Sequence, residues 1–511
     1  MLKRSRALAS VALVALTMGA TPVFAESLQE AIGLAYRTNP TLLAQRANQR
    51  ALDESIVQAR AGLRPTVNAS AGVDYSRTRT DRVTTTIPGQ TFSIDTNGDG
   101  VPDATGTLPG SSSTSGGTIE SDGASASVSL TQNIWTAGRV SHGISAAEAN
   151  VLAGRENLRQ VEQQVMVTVI QAYADVTRDL EILRIRQENL KVLRRQLDES
   201  NARFEVGEIT RTDVAQSEAR LAQSESDLAS AQAQLSVSRA AYAAVVGQAP
   251  SNLQTLPTLP GLPTDFDSAM DVGLAENPGV LSAVHAQRAA EANVAAARAE
   301  YLPSARLNAS YGGTANDLSG LDLGDRTSFT AGATVSVPLF TGGLNRSRVA
   351  QALERANAAQ INVEGERRTV LQSVSSAYAQ SASARSSVQA GEQAVRAASV
   401  AAEGVRQEAQ VGLRTTLDVL NQELELRSAE VALTSARRNE YVAQAQLLAA
   451  MGRLGGPNLD PTIDAYDPSD NYRAVRNRGA LPWDGVIEAI DRVAAPATTP
   501  AVDVELSLIH I

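Results

Sequence analysis

The sequence contains no cysteine and only three histidines among its 511 residues. Without cysteine there can be no disulfide framework, no thiolate metal site and no lipid-modified N-terminal cysteine. His142, His285 and His510 lie far apart, which argues against a histidine metal cluster. Nucleophile elbows, phosphate-binding loops and zinc-protease signatures are also missing. We therefore expect neither an enzyme nor a required cofactor.

Long apolar runs are also rare, and the one near the start has the composition of a removable leader. Lys3, Arg4 and Arg6 precede a short apolar stretch, and small residues lie just ahead of Glu26. This order predicts a signal peptide over residues 1–25. The run is shorter than the roughly 20 residues of a membrane-spanning helix, and no later stretch is long enough. We expect an exported mature chain without a transmembrane helix.

Negative charge outweighs positive charge, which bears on the kind of partner. The whole sequence has a formal charge of −10, and loss of the three leader cations takes it to −13. An acidic chain is repelled by the phosphates of nucleic acids. We therefore expect no nucleic-acid partner.

One turn pattern occurs twice. VGEITRTDV at residues 206–214 returns as VGLRTTLDV at residues 411–419, 205 positions later. Glycine commonly ends a helix because it tolerates the left-handed backbone conformation. The pattern predicts that Gly207 and Gly412 lie at the tips of two helical hairpins.

The repetition extends over most of the chain and indicates an internal duplication. The distance between matching residues falls from 238 early in each copy to 205 later, so the first copy contains about 33 extra residues, within about 78–123. We predict a first repeat at 26–255 and a second at 256–455, each with the order helix, two strands, long helical hairpin. A polar, partly disordered tail follows at 456–511, and we assign no role to its final LSLIHI.

Each copy contains two segments in which apolar and small polar residues alternate, as in β-strands with two different faces. Such strands could belong to a soluble sandwich. However, all four segments are close to the 9–11 residues of a membrane-crossing strand, and no other β-rich sequence is available to cover them. Four strands cannot close a barrel alone, because about eight is the smallest spanning number. We therefore favour one barrel shared by several chains. The apolar positions are Val67, Ala69, Ala71, Val73 and Tyr75; Ala126, Val128, Leu130 and Ile134; Leu307, Ala309 and Tyr311; Phe329, Ala331, Ala333, Val335, Val337 and Leu339.

Two very long helices are predicted because proline is absent from residues 141–204 and 346–410. About 65 residues at 1.5 Å per residue give a length of roughly 100 Å. Residues recurring every seven positions indicate coiled-coil seams, and those of the second copy are smaller, so its helices should approach closely. The seam positions are Val169, Val176, Leu183, Leu190, Leu197 and Phe204; Val214, Leu221, Leu228, Leu235 and Tyr242; Val374, Ser381, Val388, Val395, Ala402 and Ala409.

These features, in this order and twice, resemble the TolC-like family of outer-membrane export ducts. The resemblance covers residues 27 to about 455. It implies an α+β membrane protein in which three copies share a twelve-stranded outer-membrane β-barrel, continued across the periplasm by a tunnel of antiparallel helices. The paired motifs that carry it are NP at 39–40 and 277–278, RAGLRP at 60–65 and RAEYLP at 298–303, TAGR at 136–139 and FTGGL at 340–344, and the two hairpin tips.

The resemblance also implies a passive duct that works with a periplasmic adaptor and an inner-membrane transporter. The missing lipid-anchor cysteine is similar to the protein-secretion and general-efflux branch of the family. We expect type I protein secretion with an ABC-type transporter, with drug and small-molecule efflux as the alternative. Two further classes stay open: a periplasmic adaptor, which usually has a single hairpin between lipoyl-like halves, and a trimeric coiled-coil adhesin, which has one continuous heptad strand.

A gate at the hairpin tips is implied by the same resemblance. In the family, an arginine just after the second glycine pairs with the aspartate of the first tip. Those positions hold Arg414 and Asp213, with Thr212 beside the latter. Asp418 of three copies would form a carboxylate ring that favours cations at the entrance.

Two positions depart from the family gate. Its tyrosine before the second glycine is Ala409 here, and its second aspartate is Asn421. We therefore expect a single charged ring and a looser latch. A simpler alternative is that Asp213 and Asp418 only cap the returning helices, where a carboxylate suits the N-terminal dipole.

The insertion in the first copy contains DTNGDGVPD, which has the spacing of a calcium loop. Asp95, Asn97 and Asp99 alternate, a glycine follows, and Asp103 lies at position nine. These are oxygen ligands with a glycine where the chain turns sharply. Position 12 is Gly106, however, instead of the usual glutamate. We predict a weak calcium site outside the cell, with a solvated turn in a flexible loop as the alternative.

Overall fold

A computed structural model describes residues 26–315, 322–324 and 326–498; the leader, His510 and LSLIHI lie outside these ranges. The first half contains α1 (Leu28–Thr38), α2 (Pro40–Ala61), β1 (Thr66–Ile87), β2 (Gln90–Ile94), β3 (Ala104–Leu108), β4 (Ser111–Trp135), α3 (Arg139–Glu205) and α4 (Arg211–Val246). The second half contains α5 (Phe266–Glu276), α6 (Pro278–Ala299), β5 (Ser304–Ala315), β6 (Arg326–Ser336), α7 (Leu344–Gln410) and α8 (Thr416–Ala450). Three short helices follow: α9 (Gly456–Leu459), α10 (Pro468–Val475) and α11 (Asp484–Asp491).

The two halves have the same order of elements, apart from β2 and β3. The two long helices, α3 and α7, each have 67 residues, which corresponds to about 100 Å. Within the described ranges, none of the helices has the length and apolar content needed to cross a membrane.

The NP motifs explain how each half is held together. Asn39 caps α2, its side chain accepting from the backbone N–H of Thr41 at 3.0 Å, and Pro40 follows where no N–H is needed. The Asn39 amide also donates to the carbonyl of Val245, at the end of α4, at 3.0 Å. Asn277 repeats both contacts in the second half, with Gly279 and with the carbonyl of Ala450.

All four predicted strands are present, and they form one antiparallel sheet with the order β1–β4–β5–β6. Two of them are longer than the alternation indicated, because β1 has 22 residues and β4 has 25, against 12 and 11 for β5 and β6. Much of the insertion is therefore strand, which suits its threonine-rich sequence. At its far end β2 and β3 form a separate two-stranded sheet.

The helical hairpins pack along the predicted seams near their roots, where Val169, Val176, Tyr242 and Val374 are fully or almost fully buried. The seam opens towards the first tip, since Phe204 is 43 % exposed. A second row of small residues at seven-residue spacing was missed from the sequence, namely Ser217, Ser224, Ala231 and Ser238, all buried in α4. Two of these serines bond to α3: Ser224 to Asn189 at 3.1 Å and Ser217 to Ser200 at 3.1 Å.

The tail folds back onto the first half as far as residue 498. Asn471 of α10 donates to the carboxylate of Asp53 at 2.7 Å, and Asp53 is completely buried in α2. Arg46 of α2 lies between the rings of Tyr36 and Tyr466, 4.3 and 4.9 Å from their centroids. These cation–π contacts fasten the tail beside the roots of the hairpins.

Candidate functional site at the sheet face and the hairpin tips

One face of the four-stranded sheet is apolar and exposed. A single row of directly paired residues crosses it from edge to edge: Ala69, Val128, Tyr311 and Phe329. Tyr311 is 58 % exposed and Phe329 is 72 % exposed. Solvent is a poor environment for a continuous apolar face of this kind, which marks a surface that another apolar phase covers.

The apolar face ends sharply, and the opposite face is polar. Beyond Tyr75 on the apolar side, Arg77 forms an ion pair with Glu120 of the neighbouring strand at 3.2 Å. On the other side, Ser70 and Ser127 bond to each other at 2.9 Å. The sheet therefore has a bounded apolar band on one side and small polar residues on the other.

Among the described residues, nothing pairs with the outer edges of β1 and β6, the two outer strands of the sheet. Successive strands are antiparallel, so β1 runs away from the helices and β6 returns towards them. The free edge of β6 could therefore pair in antiparallel fashion with the β1 edge of another copy. Unpaired backbone edges are strong pairing sites.

The two hairpin tips have almost the same backbone. Gly207 follows α3 with φ of +76°, and Gly412 follows α7 with φ of +80°. The amide of Glu208 donates back to the carbonyl of Arg203, and that of Leu413 to the carbonyl of Glu408, each at 2.9 Å. Glycine adopts this left-handed conformation with less strain than other residues, and both glycines lie in the turn between the two helices of their hairpin.

Asp213 and Asp418 close the start of the returning helices. The N-cap hydroxyl of Thr210 donates to Asp213 at 2.7 Å, and that of Thr415 to Asp418 at 2.8 Å. In each case the threonine amide donates to the same carboxylate oxygen, and the aspartate amide donates to the threonine hydroxyl. These are capping boxes, so the capping role is confirmed; a gating role would be additional to it.

The same bonds shift the pKa values of both carboxyl groups. The hydroxyl and then the amide of Thr210 hold the pKa of Asp213 below its usual value. For Asp418 the amide of Thr415 is the largest cause of a lowered pKa, and Arg414 adds a smaller attraction. Both groups are therefore anionic at neutral pH.

Arg414 forms an ion pair within its own tip. Its Nε donates to Glu408 at 2.7 Å, and this bond raises the pKa of the guanidinium. Thr212 is exposed beside Asp213 at the other tip. A latch between Arg414 and Asp213 would thus require Arg414 to exchange its carboxylate partner.

Two charged contacts just above the tips were missed from the sequence. Arg220 of α4 donates to the Oδ1 of Asn421 of α8 at 3.0 Å and so joins the two hairpins. Glu423 is buried between α7 and α8, where it pairs with Arg406 and, at 3.5 Å, with Arg427. Its spacing could have indicated the burial of Glu423. It lies four residues after Val419 and three before Leu426, so these apolar residues and Glu423 share one face of α8.

The DTNGDGVPD loop joins β2 to β3, and its side chains bond to its own backbone. Asp95 accepts from the amides of Gly98 and Gly100, each at 2.8 Å, and these bonds lower its pKa. Asp103 accepts from the hydroxyl of Thr96 at 2.6 Å, and its pKa is also lowered. In the described part of the chain, no three acidic or histidine side chains converge as metal ligands would. A cation here would bind to carboxylates that already accept backbone hydrogen bonds.

Comparison with known proteins gives a consistent result. The chain matches the outer membrane efflux protein family over residues 31–248 and 270–453. It is 32 % identical to the outer membrane efflux protein BepC of Brucella suis, over 94 % of this chain and 96 % of that protein. It is 28 % identical to the alkaline protease secretion protein AprF of Pseudomonas aeruginosa, over 61 % of this chain and 66 % of that protein.

A solved structure shares the fold. The outer membrane protein VceC from Vibrio cholerae superposes with a TM-score of 0.64 at 21 % identity, over 83 % of this chain and 96 % of that one. An exposed apolar sheet face above long antiparallel helices thus defines an outer-membrane channel whose helices extend into the periplasm. The chain belongs to the outer membrane efflux protein family. The family membership confirms the TolC-like resemblance and the outer-membrane location. It does not agree with the adaptor and adhesin alternatives.

Proposed function

We propose that the protein is the passive outer-membrane exit duct of a three-part export machine. One observation supports the proposal most directly. Two strands of the sheet with the exposed apolar face lead, within the same chain, into two helices of 67 residues each. Lipid would cover the apolar face, and the helices would carry the channel about 100 Å into the periplasm.

Three copies of the chain would complete the channel. One copy supplies four strands with free edges at β1 and β6, too few for a spanning barrel, which needs about eight or more. Pairing β6 of each copy with β1 of the next closes a ring in which every strand remains antiparallel. Three copies give twelve strands, and the duplicated halves would place six helical hairpins around one axis.

The tips would form the periplasmic gate. Three Asp418 carboxylates around one axis repel each other, so the ring attracts cations and disfavours anions. Arg414 would hold the resting mouth closed by moving from Glu408 to Asp213 of a neighbouring tip. A periplasmic adaptor would release this latch by offering its own partners to Arg414, because guanidinium–carboxylate pairs exchange readily at an exposed site.

For the cargo, we infer type I protein secretion with an ABC-type inner-membrane transporter. The absence of a lipid-anchor cysteine supports this branch, as does the similarity to AprF, which is named for protease secretion. Small-molecule efflux is the second candidate, because BepC, which is similar over nearly its whole length, is named as an efflux protein. We also propose that the DTNGDGVPD loop binds calcium weakly on the outer side.

Membrane separation and native mass measurement test the duct itself. We expect the protein in the outer-membrane fraction and, in detergent, as a complex of three chains. Phe329→Lys, on the lipid-facing side, should impair insertion, because a lysine that faces lipid costs up to about 2–4 kcal/mol, depending on its depth. Thr330→Lys, on the polar side of the same strand, is the matched control and should insert. A soluble monomer would refute the duct.

Deleting the gene in the source bacterium separates the two cargo classes. Loss of particular proteins from the culture medium, with unchanged drug tolerance, is the outcome expected for type I secretion. Increased drug sensitivity with an unchanged set of secreted proteins would instead establish efflux.

A further inference from the structure

The chain makes the transition from strand to long helix twice, and the two junctions differ in how they are covered. At the first junction Trp135 ends β4 and Gly138, with φ of +86°, is the N-cap residue before α3. At the second, Phe340 lies four residues after β6, and Gly343, with φ of +88°, is the N-cap residue before α7. Phe340 corresponds to Trp135 at the repeat spacing of 205.

The first junction is covered by the C-terminal strap, which we define as residues 476–496. Asp491 of the strap is completely buried, and its carboxylate accepts four hydrogen bonds. They come from the amide and hydroxyl of Thr136 at 2.5 and 2.7 Å, and from the amide and hydroxyl of Ser141 at 3.1 and 2.7 Å. The indole N–H of Trp135 donates to the carbonyl of Val493 at 2.9 Å.

The second junction has no such cover within the described part of the chain. Leu339 is 92 % exposed and Phe340 is 91 % exposed. They lie three and four residues after the end of β6, an outer strand of the sheet. Two adjacent large apolar side chains with almost complete exposure indicate a surface that is buried in the assembled protein.

The strap has a second apolar face that points away from its own junction. Trp483, Val486, Ile490 and Val493 are 47, 61, 39 and 62 % exposed. Val486 and Ile490, four residues apart, lie on one side of α11, and Trp483 and Val493 flank its two ends. The other side of α11 carries Asp491, which faces the first junction.

The strap also lies at the base of the other free edge. Asp484, the first residue of α11, pairs with Arg64 at 2.8 Å, and Arg64 lies two residues before β1. The start of α11 therefore lies beside the segment that leads into β1, and the exposed Leu339 and Phe340 lie just beyond the end of β6, so both apolar surfaces are at the base of the sheet.

We propose that Leu339 and Phe340 of one copy dock on the exposed face of α11 of the next copy. The inference rests on the ring proposed above, in which β6 pairs with β1 of the neighbour. That pairing brings the two exposed apolar surfaces together at the base of the sheet. Each strap then covers two junctions, its own first junction through Asp491 and the neighbour's second junction through α11.

Cysteine cross-linking tests the contact directly, because the chain has no cysteine of its own. The double variant Phe340→Cys with Val486→Cys, oxidised in purified outer membranes, should run as covalent dimers and trimers on a denaturing gel. The matched control pairs Phe340→Cys with Val237→Cys on α4, which is as exposed as Val486 at 61 %. The control should remain monomeric on the gel.

Native mass measurement of the same samples keeps the two proposals separate. A three-chain complex whose 340/486 pair does not cross-link above the control would overturn the docking contact and leave the ring intact. That result would mean that lipid covers Leu339 and Phe340. Absence of the three-chain complex itself would overturn the proposed duct. In support, Leu339→Ser with Phe340→Ser should lower the temperature at which the trimer dissociates, with helix content unchanged.

Discussion

Arg220 of α4 donates from its Nη2 to the Oδ1 of Asn421 of α8 across 3.0 Å, and this bond joins the first helical hairpin to the second close to their tips. Asn421 occupies the position at which the resembled family carries a second aspartate. An amide oxygen binds a guanidinium more weakly than a carboxylate does. At this contact near the tips, the two hairpins are therefore joined through a neutral acceptor.

Replacing this acceptor should tighten the closed tips. Asn421→Asp converts the bond to an ion pair and should lower the resting conductance in planar bilayers, whereas Arg220→Ala should raise it. Because the pair is exposed, each change should be about fivefold or less, corresponding to roughly 1 kcal/mol. Unchanged conductance in both variants would show that the bond does not restrain the mouth.

The proposed latch and carboxylate ring make a separate prediction. Arg414→Ala should raise the resting conductance, because it removes the cation that holds the tips. Asp418→Ala should reduce the preference for cations, measured as the reversal potential in a salt gradient. Arg473→Ala, in α10 and remote from the tips, is the control. If both tip variants conduct like the parent protein, Arg414 and Asp418 only stabilise the turns.

The capping box of the second tip should make that tip sensitive to acid. Thr415 and Arg414 lower the pKa of Asp418 in the folded tip. Its stabilising contribution is therefore complete above the usual carboxyl value near 4 and is lost as the pH falls through the lowered value. A spin label at Leu413→Cys should keep constant mobility from neutral pH to about pH 4 and become more mobile below it.

Asp418→Asn is the control for that measurement. It should make the label mobile at every pH and remove the Asp418 transition. An unaltered transition in Asp418→Asn would rule out the capping box as its source.

Glu26, the residue expected to begin the mature chain, is buried at the root of the first hairpin. Its carboxylate accepts from the hydroxyl of Tyr242 at 2.6 Å, the amide of Gln248 at 3.0 Å and the backbone N–H of Ser251 at 3.1 Å. Its carbonyl accepts from Tyr173 at 2.9 Å, and burial raises the pKa of that hydroxyl to about 12. Both tyrosines therefore remain hydrogen-bond donors at any physiological pH.

Removing one of the hydrogen-bond donors to the Glu26 carboxylate should destabilise the protein. Tyr242→Phe leaves the buried carboxylate short of one bond and should lower the free energy of unfolding by about 1–3 kcal/mol. The unfolding temperature of the helices, followed by circular dichroism, measures the loss. Tyr378→Phe is the control, because the ring contact of Tyr378 with Phe266 at 5.5 Å is kept. Equal unfolding temperatures for the two variants would contradict a stabilising role for the hydrogen bonds to Glu26.

Calcium binding by the outer loop can be measured by calorimetry on the folded trimer. Position 12 of the loop is Gly106 instead of a glutamate, so one ligand of a complete calcium loop is missing. We expect a dissociation constant of about 10⁻⁴–10⁻³ M, as in extracellular modules. Asp95→Ala with Asp99→Ala should abolish the heat. No heat from the parent protein, or the same heat from the variant, would exclude the site.

Much of the fold follows from local rules in the sequence. Proline-free heptads determined the two long helices, since nothing interrupts the backbone hydrogen bonds between residues 141–204 or 346–410. Gly207 and Gly412 determined the tips, because few other residues adopt their positive φ. Strict alternation determined the four strands and which of their faces is apolar.

Contacts between distant segments were decided only by the tertiary structure. Serines look solvent-exposed in sequence, yet Ser217 and Ser224 are buried because α3 and α4 approach closely enough to bond through them. Nothing near Asp491 in the sequence points to Thr136, about 350 positions away, and the burial of its carboxylate depends on the tail folding back. Periodicity specifies which face of an element is apolar, because that depends on local geometry. Which distant segment covers the face is decided when the whole chain has packed.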